Sequence, residues 1–353
     1  MLRIGDAFCG MGVLGYAAHL ELLDRNPLTV WAANSNAQAV AAHAAFYNSA
    51  GIPVLRRECA DLLHYGVGSL PKVDLLIAGP SCPAFSQAAQ PGRASSSYCR
   101  DRHDVLRMTP MAIHDLVDGS RPGRVLVENV LDMASWELFD YWVGGFEARG
   151  YQTATIVLRD SACGGWQDRD RLFTCAWKTG PAPYSEEMYR GVSGTSALGT
   201  GEDPRGWEDA IDWNRGRWKT YTGAPAGPLR RLQRALDRST ITERLVRYAS
   251  RGPSQHQPKY AIFIQNVTGH AGRMPGTPTP TLTTGDQFGV WKQQDYGAPW
   301  QYRVWSAREQ ARLVLDGVTL LPKMRKKDLV TFLGNAVPVT LGRAAVRWAM
   351  GAG

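Results

Sequence analysis

The sequence lacks an apolar run of the roughly 18 residues that a membrane-spanning helix needs. We also expect no signal peptide. The first residues of the sequence, MLRIGDAFCG, are typical of a buried strand and a turn, not of a basic segment before a long apolar core. We therefore expect a cytoplasmic protein that does not bind a membrane.

The sequence has no CxxC pair among its six cysteines. This spacing offers no zinc site, and a disulfide framework is not expected in the cytoplasm. Cys99 and His103 have a C-x3-H spacing, but no second pair accompanies them. We therefore expect no metal site, and at least one cysteine remains available for chemistry.

Internal repeats and low-complexity tracts are also missing, while 44% of the 353 residues are hydrophobic. That content supports a buried core and excludes a chain disordered throughout. The length predicts about two domains. The 40 Lys and Arg residues against 32 Asp and Glu residues give a net charge of +8, which suits a polyanionic partner but also an ordinary basic enzyme.

Short apolar strands alternate with helical patterns in the first half of the chain. This alternation predicts an α/β domain with a mostly parallel sheet covered on both faces. Ligands of such sheets bind beyond the carboxyl ends of the strands, near Asp6, Pro80 and Glu128. The predicted strands are 2–8, 29–33, 73–79, 124–130 and 153–158, and the predicted helices are 13–23, 37–47, 104–118 and 132–149.

The composition changes near residue 180, where Gly, Pro, Arg and Trp become frequent and the periodicity weakens. This change predicts a smaller second domain with a basic, aromatic face. The alternative is that its tryptophans form the core of that domain. Helical patterning returns near the C-terminus, beside a sharp GNAVP turn at 334–338. The interleaved aromatic and basic residues are Trp207, Trp213, Trp218, Arg205, Arg215, Arg217 and Lys219.

Two segments at strand ends suit the approach of a ligand. In DAFCGMG (6–12), Gly10 and Gly12 precede a helix and allow close backbone contact with a ligand. In GPSCPAFSQ (79–87), prolines flank Cys82, whose thiolate would be a nucleophile. The structural alternatives are a tight strand-to-helix turn and a buried cysteine.

Two further segments place charges on strands. VLVENV (125–130) ends in Glu128, a candidate acid, because a buried carboxyl must be paired or protonated and then has a raised pKa. In GGWQDRDRLF (164–173), Arg169 and Arg171 alternate along a strand and therefore face the same side. Two guanidiniums there could bind phosphate or an anionic intermediate. The alternatives are a Glu that binds backbone amides and a solvated charged strand.

In this order, the four segments resemble the motifs of the DNA (cytosine-5-)-methyltransferase family. TPTPTLTT (277–284) and GNAVPVTLGRAA (334–345) resemble the family's ninth and tenth motifs, and RVWSAREQARL (303–313) resembles the stretch after the ninth. The resemblance covers nearly the whole chain except about 180–270, where the family carries its variable target-recognition domain.

The resemblance implies a Rossmann-like fold of the S-adenosylmethionine-dependent methyltransferases. Residues 1–179 would form the catalytic and cofactor-binding domain, and residues 180–272 the target-recognition domain. Residues 273–353 would return to the catalytic domain. The chain would be a monomer from a prokaryote or phage, and a restriction endonuclease acting separately is compatible with this interpretation.

The reaction implied is methyl transfer from S-adenosylmethionine to carbon 5 of cytosine in double-stranded DNA. Cys82 would attack carbon 6, while Glu128 would bind ring nitrogen 3 and supply a proton. Arg171 would contact the ring carbonyl, and Arg169 would support the site. The base must leave the duplex for this chemistry, and the Gly/Ser-rich stretch 84–101 would close over it.

The same resemblance implies that the cofactor would be bound by Phe8, Gly10, Gly12, Asn34, Asp61, Pro80, Asn335 and Val337. The basic, Trp-rich segment would contact DNA phosphates through Arg205, Arg215, Arg217 and Lys219. Ser86 and Gln87 are also expected to contact the DNA.

Two positions depart from the family pattern. The family usually places an acidic residue after the second strand to bind the ribose hydroxyls, where this chain has Asn34, or Asn36 in a shifted register. A neutral hydrogen bond there is weaker than a charge-assisted one. Around Cys82, Ser81 and Pro83 replace the Pro and Gln that are common in the family.

Other functions fit the sequence less well. The tRNA-modifying branch of the family usually carries a CFT tripeptide after the ENV region, and this sequence has none. A non-catalytic DNA-binding regulator would have lost Cys82, Glu128 or the arginines, and an unrelated nucleotide-binding protein would not carry these motifs in order. A relative that transfers a different one-carbon group remains compatible, because the chemistry of Cys82 only requires an electrophile at carbon 5.

Overall fold

A computed structural model of the protein describes most of the chain. The described residues are 1–64, 68, 70–80, 105–184, 190–191, 197–214, 216–221, 260–265, 273, 276–284, 288–295, 298–316 and 324–351. The strands are β1 (Leu2–Ala7), β2 (Pro27–Asn34), β3 (Arg57–Cys59), β4 (Leu75–Ala78), β5 (Arg124–Asn129), β6 (Gln152–Arg159), β7 (Gln167–Asp168), β8 (Asp170–Trp177), β9 (Arg190–Gly191), β10 (Leu198–Gly199), β11 (Lys219–Tyr221), β12 (Tyr260–Gln265), β13 (Thr279–Pro280), β14 (Phe288–Gln293) and β15 (Trp300–Val304). The helices are α1 (Val13–Glu21), α2 (Ala37–Ser49), α3 (Ala112–Ser120), α4 (Phe139–Glu147), α5 (Ala307–Leu315), α6 (Lys326–Asn335) and α7 (Val339–Met350).

The central sheet of the described residues has the strand order β3-β2-β1-β4-β5-β8-β6-β10-β9. The first five strands of that order run parallel. Strand β8 lies antiparallel between β5 and β6. The predicted mostly parallel sheet is therefore confirmed, and its parallel half directs the carboxyl ends of β1, β2, β4 and β5 to one edge.

Helices cover both faces of this sheet, which is why the residues of β4 and β5 are all buried. Alternate residues of β4 join different hydrophobic clusters. Leu76 packs with α3 and α4 on one face, and Ile77 packs with α1 and α7 on the other. Helix α7 is tied to α1 by Arg343 and Arg347, which both form ion pairs with Glu21.

Two predicted helices differ from expectation at their first turns. In the segment predicted at 104–118, residues 105–107 are helical, a 3-10 turn spans Thr109–Met111, and α3 follows at Ala112. In the segment predicted at 132–149, a 3-10 turn over Leu131–Ser135 precedes α4. That turn ends at Trp136, which takes an extended conformation and buries its ring in the core.

A second sheet has the strand order β11-β15-β14-β12 and is antiparallel. Its strands lie between residues 219 and 304, on both sides of the boundary predicted at residue 272. Strands β9 and β10, beyond residue 179, pair with the central sheet. Composition places the change of domain near residue 180, whereas backbone pairing decides to which sheet each strand belongs.

Residues Lys326–Met350 are long and apolar enough to cross a membrane by length and composition alone, and 67% of the apolar stretch is buried inside the protein. The stretch comprises α6 and α7 with the turn between them. Its apolar side chains, such as Leu333, Leu341 and Val346, belong to the two hydrophobic clusters that pack around α1. Packing in the core therefore accounts for its composition.

Candidate active site

A cavity of about 420 Å³ opens beyond the carboxyl ends of β1, β2 and β4. Its volume is within the range of about 300–1,000 Å³ that is usual for small-molecule sites. Glu128 also borders it. The cavity brings together seven of the eight predicted cofactor residues, Phe8, Gly10, Asn34, Asp61, Pro80, Asn335 and Val337.

Gly12, the eighth predicted cofactor residue, shapes the turn below the cavity. Its φ of 86° is left-handed, and an added Cβ would lie 2.5 Å from the Tyr47 ring. The Tyr47 hydroxyl donates a hydrogen bond to the Gly12 carbonyl at 3.2 Å. Phe8 also has a left-handed φ, of 53°, although it is not a glycine. Such strain costs about 1–3 kcal/mol and persists only where the surroundings fix the conformation.

A buried carboxylate that was not among the predicted site residues also lines the cavity. Asp6 is 3% exposed, and its Oδ2 lies 3.6 Å from His43 Nε2, beyond hydrogen-bond distance. Arg57 Nε donates to His43 Nδ1 at 3.3 Å, so Nε2 is the ring nitrogen that faces Asp6. Burial raises the pKa of Asp6, and the sequence signal for this residue was its position at the end of β1.

The rim of the cavity after β2 carries the amides of Asn34 and Asn36 and the hydroxyl of Ser35, where the family usually has an acidic residue. Asn34 Oδ1 accepts the Asn36 N–H at 2.9 Å, so Nδ2 is the group that Asn34 offers to a ligand. Asn36 Oδ1 caps α2 by accepting from Gln38 N and Ala39 N. Across the rim, Asp61 Oδ1 accepts from Leu63 N at 3.1 Å.

Glu128 and Arg171 form a buried ion pair at the border of the cavity. Arg171 Nε lies 2.9 Å from Glu128 Oε1, and the two side chains are 12% and 4% exposed. Burial raises the pKa of Glu128, while the positive charges of Arg171 and Arg169 act in the opposite direction. β8 lies antiparallel to β5, with Glu128 opposite Phe173 and Asn129 opposite Leu172. Arg171 precedes Phe173 by two residues, so its side chain lies on the same face of the sheet, diagonally across from Glu128.

Arg169 is fully buried and contacts backbone rather than the cavity. Its Nη1 donates to the Leu282 carbonyl at 3.1 Å, and its Nη2 donates to the Gly334 carbonyl at 2.9 Å. It therefore joins the segments that resemble the ninth and tenth motifs. The charge of Arg169 also lowers the pKa of Glu128, and its supporting role in the reaction stays a prediction.

Glu128 lies beside the start of the segment that carries the predicted nucleophile. An added Cβ on Gly79 would lie 3.6 Å from Glu128 Oε2, and Asn129 Nδ2 donates to the Pro80 carbonyl at 3.4 Å. The predicted residues Cys82, Ser86, Gln87 and Arg215, as well as the stretch 84–101, lie outside the described residues.

The predicted basic, aromatic face is partly core. Trp207 is fully buried and Trp213 is 8% exposed, so both are core residues. Trp218 stacks on Trp213 with ring centroids 6.1 Å apart, and Arg217 and Lys219 are exposed on either side of it.

Arg205, predicted to contact DNA, has partners within the protein. Its guanidinium pairs with Asp316 and lies 5.2 Å from the centroid of the Trp166 ring. Among the residues that the structure describes, no group of three or more His, Cys, Asp or Glu side chains could hold a metal ion.

Comparison with known families identifies one that spans almost the whole chain. The sequence model of the family described as C-5 cytosine-specific DNA methylase matches residues 2–348. A comparison with curated proteins gives no match.

Solved structures of low sequence identity have the same fold. An E. coli protein described as a DNA modification methyltransferase encoded within a prophage is 19% identical, with a TM-score of 0.60 over 98% of both chains. The S. pombe Dnmt2 methyltransferase is 15% identical, with a TM-score of 0.55 over 98% of this chain and 96% of that chain. The Entamoeba histolytica methyltransferase EhMeth is 11% identical, with a TM-score of 0.53 over 97% and 96%. At these identities the likeness establishes the fold alone.

Proposed function

Because the chain belongs to the C-5 cytosine-specific DNA methylase family and is therefore a DNA (cytosine-5-)-methyltransferase, we propose how it acts. It transfers a methyl group from S-adenosylmethionine to carbon 5 of a cytosine flipped out of double-stranded DNA, through a covalent adduct with Cys82. The observation that carries this proposal is the buried Glu128–Arg171 pair at the border of the 420 Å³ cavity.

The described cavity fits S-adenosylmethionine. The cofactor is a cation, and Asp6 Oδ2 is a buried carboxylate oxygen of the lining without a hydrogen bond in the structure. Phe8, Asp61, Asn335 and Val337 would enclose the cofactor, with Asn34 Nδ2 donating at the rim. When bound, the cofactor supplies the methyl group as an electrophile.

Glu128 would act as the acid that activates the cytosine. Burial raises the pKa of its carboxyl, so the protonated form that can donate to ring nitrogen 3 persists to higher pH than in a solvated Glu. Arg171 Nε, 2.9 Å from Glu128 Oε1, orients this carboxyl in either protonation state, and Arg171 would contact the ring carbonyl. Proton donation offsets the negative charge that develops in the ring when a nucleophile adds.

Cys82 would be that nucleophile. Its thiolate forms a bond to carbon 6, the electron pair of the C5–C6 double bond moves to carbon 5, and nitrogen 3 takes the proton from Glu128. After carbon 5 has gained the methyl group, nitrogen 3 returns its proton to Glu128. A base then removes the original proton of carbon 5, the electron pair of that C–H bond restores the C5–C6 double bond, and Cys82 leaves carbon 6 as a thiolate.

The smaller domain would bind and select the DNA. Exposed Arg217 and Lys219 would contact phosphates, together with Arg205 and Arg215 of the same basic segment and with Ser86 and Gln87. In the same proposal the enzyme is a cytoplasmic monomer, and a restriction endonuclease would act separately.

The proposal is tested with purified protein, S-adenosylmethionine and duplex DNA that contains 5-fluorocytosine. The parent should form a covalent adduct that survives denaturation, because fluorine cannot leave carbon 5 as a proton does. Cys82→Ser should form none, since a hydroxyl is far less acidic than a thiol, and it should still bind DNA. Methylation of cytosine in tRNA but not in DNA, or methyl transfer by Cys82→Ser within about tenfold of the parent, would contradict the proposal.

A further inference from the structure

The wall of the cofactor cavity contains the turn between α6 and α7, where Asn335, Ala336 and Val337 line the cavity. Locally, Ala336 N donates to the Phe332 carbonyl at 2.9 Å, while Pro338, the N-cap residue of α7, makes no side-chain capping hydrogen bond. Contacts with distant parts of the chain attach both ends of this turn to the protein.

The first end of the turn is held by Arg169. Its Nη2 donates to the Gly334 carbonyl at 2.9 Å, and its Nη1 donates to the Leu282 carbonyl at 3.1 Å. Gly334 packs so closely on the neighbouring segment that an added Cβ would lie 2.5 Å from the carbonyl carbon of Thr283. The backbone at Gly334 therefore has little freedom to move.

The second end of the turn is held by Asp160. Thr340, in the first turn of α7, donates its hydroxyl to Asp160 Oδ1 at 2.6 Å. Asp160 is fully buried, and its Oδ2 accepts from Trp166 N at 3.0 Å and from Gln167 N at 2.9 Å. An added Cβ on Gly165 would lie 2.2 Å from Asp160 Oδ1, so the backbone closes directly over the carboxylate.

The carboxylate of Asp160 depends on these donors to remain charged. Burial raises its pKa to about 6, and the hydrogen bonds from Thr340, Gln167 and Trp166 act in the opposite direction. Hydrogen bonds to a charged group are about twice as strong as neutral ones. The contact between Thr340 and Asp160 is therefore a firm point of attachment for α7.

Both points of attachment come from the connection between β6 and β8, which also leads to Arg171. We propose that Asp160 and Thr340 are positioning residues for the cofactor. With Arg169 they clamp the two ends of the 334–340 turn onto this connection, and so set where Asn335 and Val337 meet the cofactor. The inference rests on the proposed use of S-adenosylmethionine and assigns this part of its site to residues that do not touch it.

The test compares Thr340→Val, which removes only the hydroxyl, with Thr340→Ser, which keeps it. Thr153→Val is the control, because its hydroxyl donates to Glu147 at an exposed site on β6. Calorimetric titration should give a Kd for S-adenosylmethionine about tenfold higher in Thr340→Val, which equals about 1.4 kcal/mol. Thr340→Ser and Thr153→Val should remain within about twofold of the parent.

Two further measurements separate positioning from a general loss of stability. With saturating cofactor, Thr340→Val should keep the parent kcat, so the change should appear in the KM for S-adenosylmethionine. Without cofactor, amide hydrogen exchange over residues 335–342 should be faster in Thr340→Val than in Thr153→Val. If Thr340→Val does not fold, Thr340→Ala removes the same hydroxyl.

The proposed positioning role is overturned if folded Thr340→Val or Thr340→Ala binds S-adenosylmethionine as tightly as the parent. It is also overturned if Thr340→Ser binds the cofactor as weakly as Thr340→Val. A fall in kcat at unchanged KM would also overturn it. If the parent itself binds no S-adenosylmethionine, the proposed function fails and the clamp falls with it, and the titration of the parent alone reveals this.

Discussion

Replacing Arg171 with Met tests whether Glu128 is a buried carboxyl whose charge depends on its partner. The two side chains are 12% and 4% exposed, with Arg171 Nε 2.9 Å from Glu128 Oε1. Removing one member of a buried ion pair costs about 3–5 kcal/mol, because the other charge is left without compensation. We expect Arg171→Met to lower the free energy of unfolding by that amount at pH 8.

The loss should be smaller at pH 5. Burial already raises the pKa of Glu128, and removing Arg171 removes the largest contribution that lowers it. A carboxyl with a raised pKa in the folded state contributes stability below its unfolded pKa of about 4.3. That stability is lost as the pH rises through the folded pKa. The variant can therefore take up a proton at pH 5 and avoid most of the cost.

Urea unfolding followed by tryptophan fluorescence at both pH values provides the measurement. The control is Glu128→Gln, in which residue 128 has no charge at either pH. Adding Glu128→Gln to Arg171→Met should recover most of the stability at pH 8 and remove the difference between the two pH values. Glu128→Gln should also lower kcat by about 10²–10⁴, the usual contribution of a general acid.

An equal loss of stability at pH 5 and pH 8 in Arg171→Met would refute this reasoning. So would a loss of the same size when Glu128 has already been replaced by Gln. Either result would mean that Arg171 stabilises the protein through its hydrocarbon chain, and not by compensating a buried charge.

Three other substitutions test the rest of the site. Asn34→Ala should weaken S-adenosylmethionine binding by about 0.5–1.5 kcal/mol. Asn34→Asp should tighten the binding, because one carboxylate oxygen can still accept from Asn36 and the other can accept from ribose. Equal affinities of both variants and the parent in calorimetry would place the ribose elsewhere. Gly12→Ala should unfold at a lower temperature than Gly51→Ala. Both glycines have a left-handed φ, but only at Gly12 would an added Cβ meet Tyr47. Equal melting temperatures of the two variants would contradict the tight packing of the turn at Gly12. Lys219→Gln should reduce the slope of log K for DNA binding against log salt concentration by about 1. Lys178, whose ammonium lies over the Tyr151 ring, provides the control, since Lys178→Gln should leave the slope unchanged. An unchanged slope in both variants would remove Lys219 from the DNA interface.

The sequence predicts the parallel half of the central sheet well, because its strands are continuous apolar runs that end in polar residues such as Asp6 and Glu128. Seven of the eight cofactor residues that the family resemblance implies also line the cavity. Neither the sequence pattern nor the resemblance predicts that Asn34 Oδ1 is taken by Asn36, or that Arg169 is bonded to the carbonyls of Leu282 and Gly334. The two contacts of Arg169 depend on tertiary packing between segments more than a hundred residues apart, which no local pattern encodes. The contact between Asn34 and Asn36 is local, but it depends on how the Asn34 amide is turned, which the sequence does not specify.

The attachment of α7 to α1 has a consequence for how the enzyme is made. Glu21 forms its ion pairs with Arg343 and Arg347, which follow it by 322 and 326 residues. Domains generally fold as the chain emerges from the ribosome, at about 5–20 residues per second. After Glu21 is synthesised, about 16–64 s therefore pass before Arg343 exists. During that interval the cavity lacks the wall formed by Asn335 and Val337, which are synthesised after residues 180–272. A chain still in synthesis therefore has an incomplete cavity until the segment that we propose selects the DNA has been made.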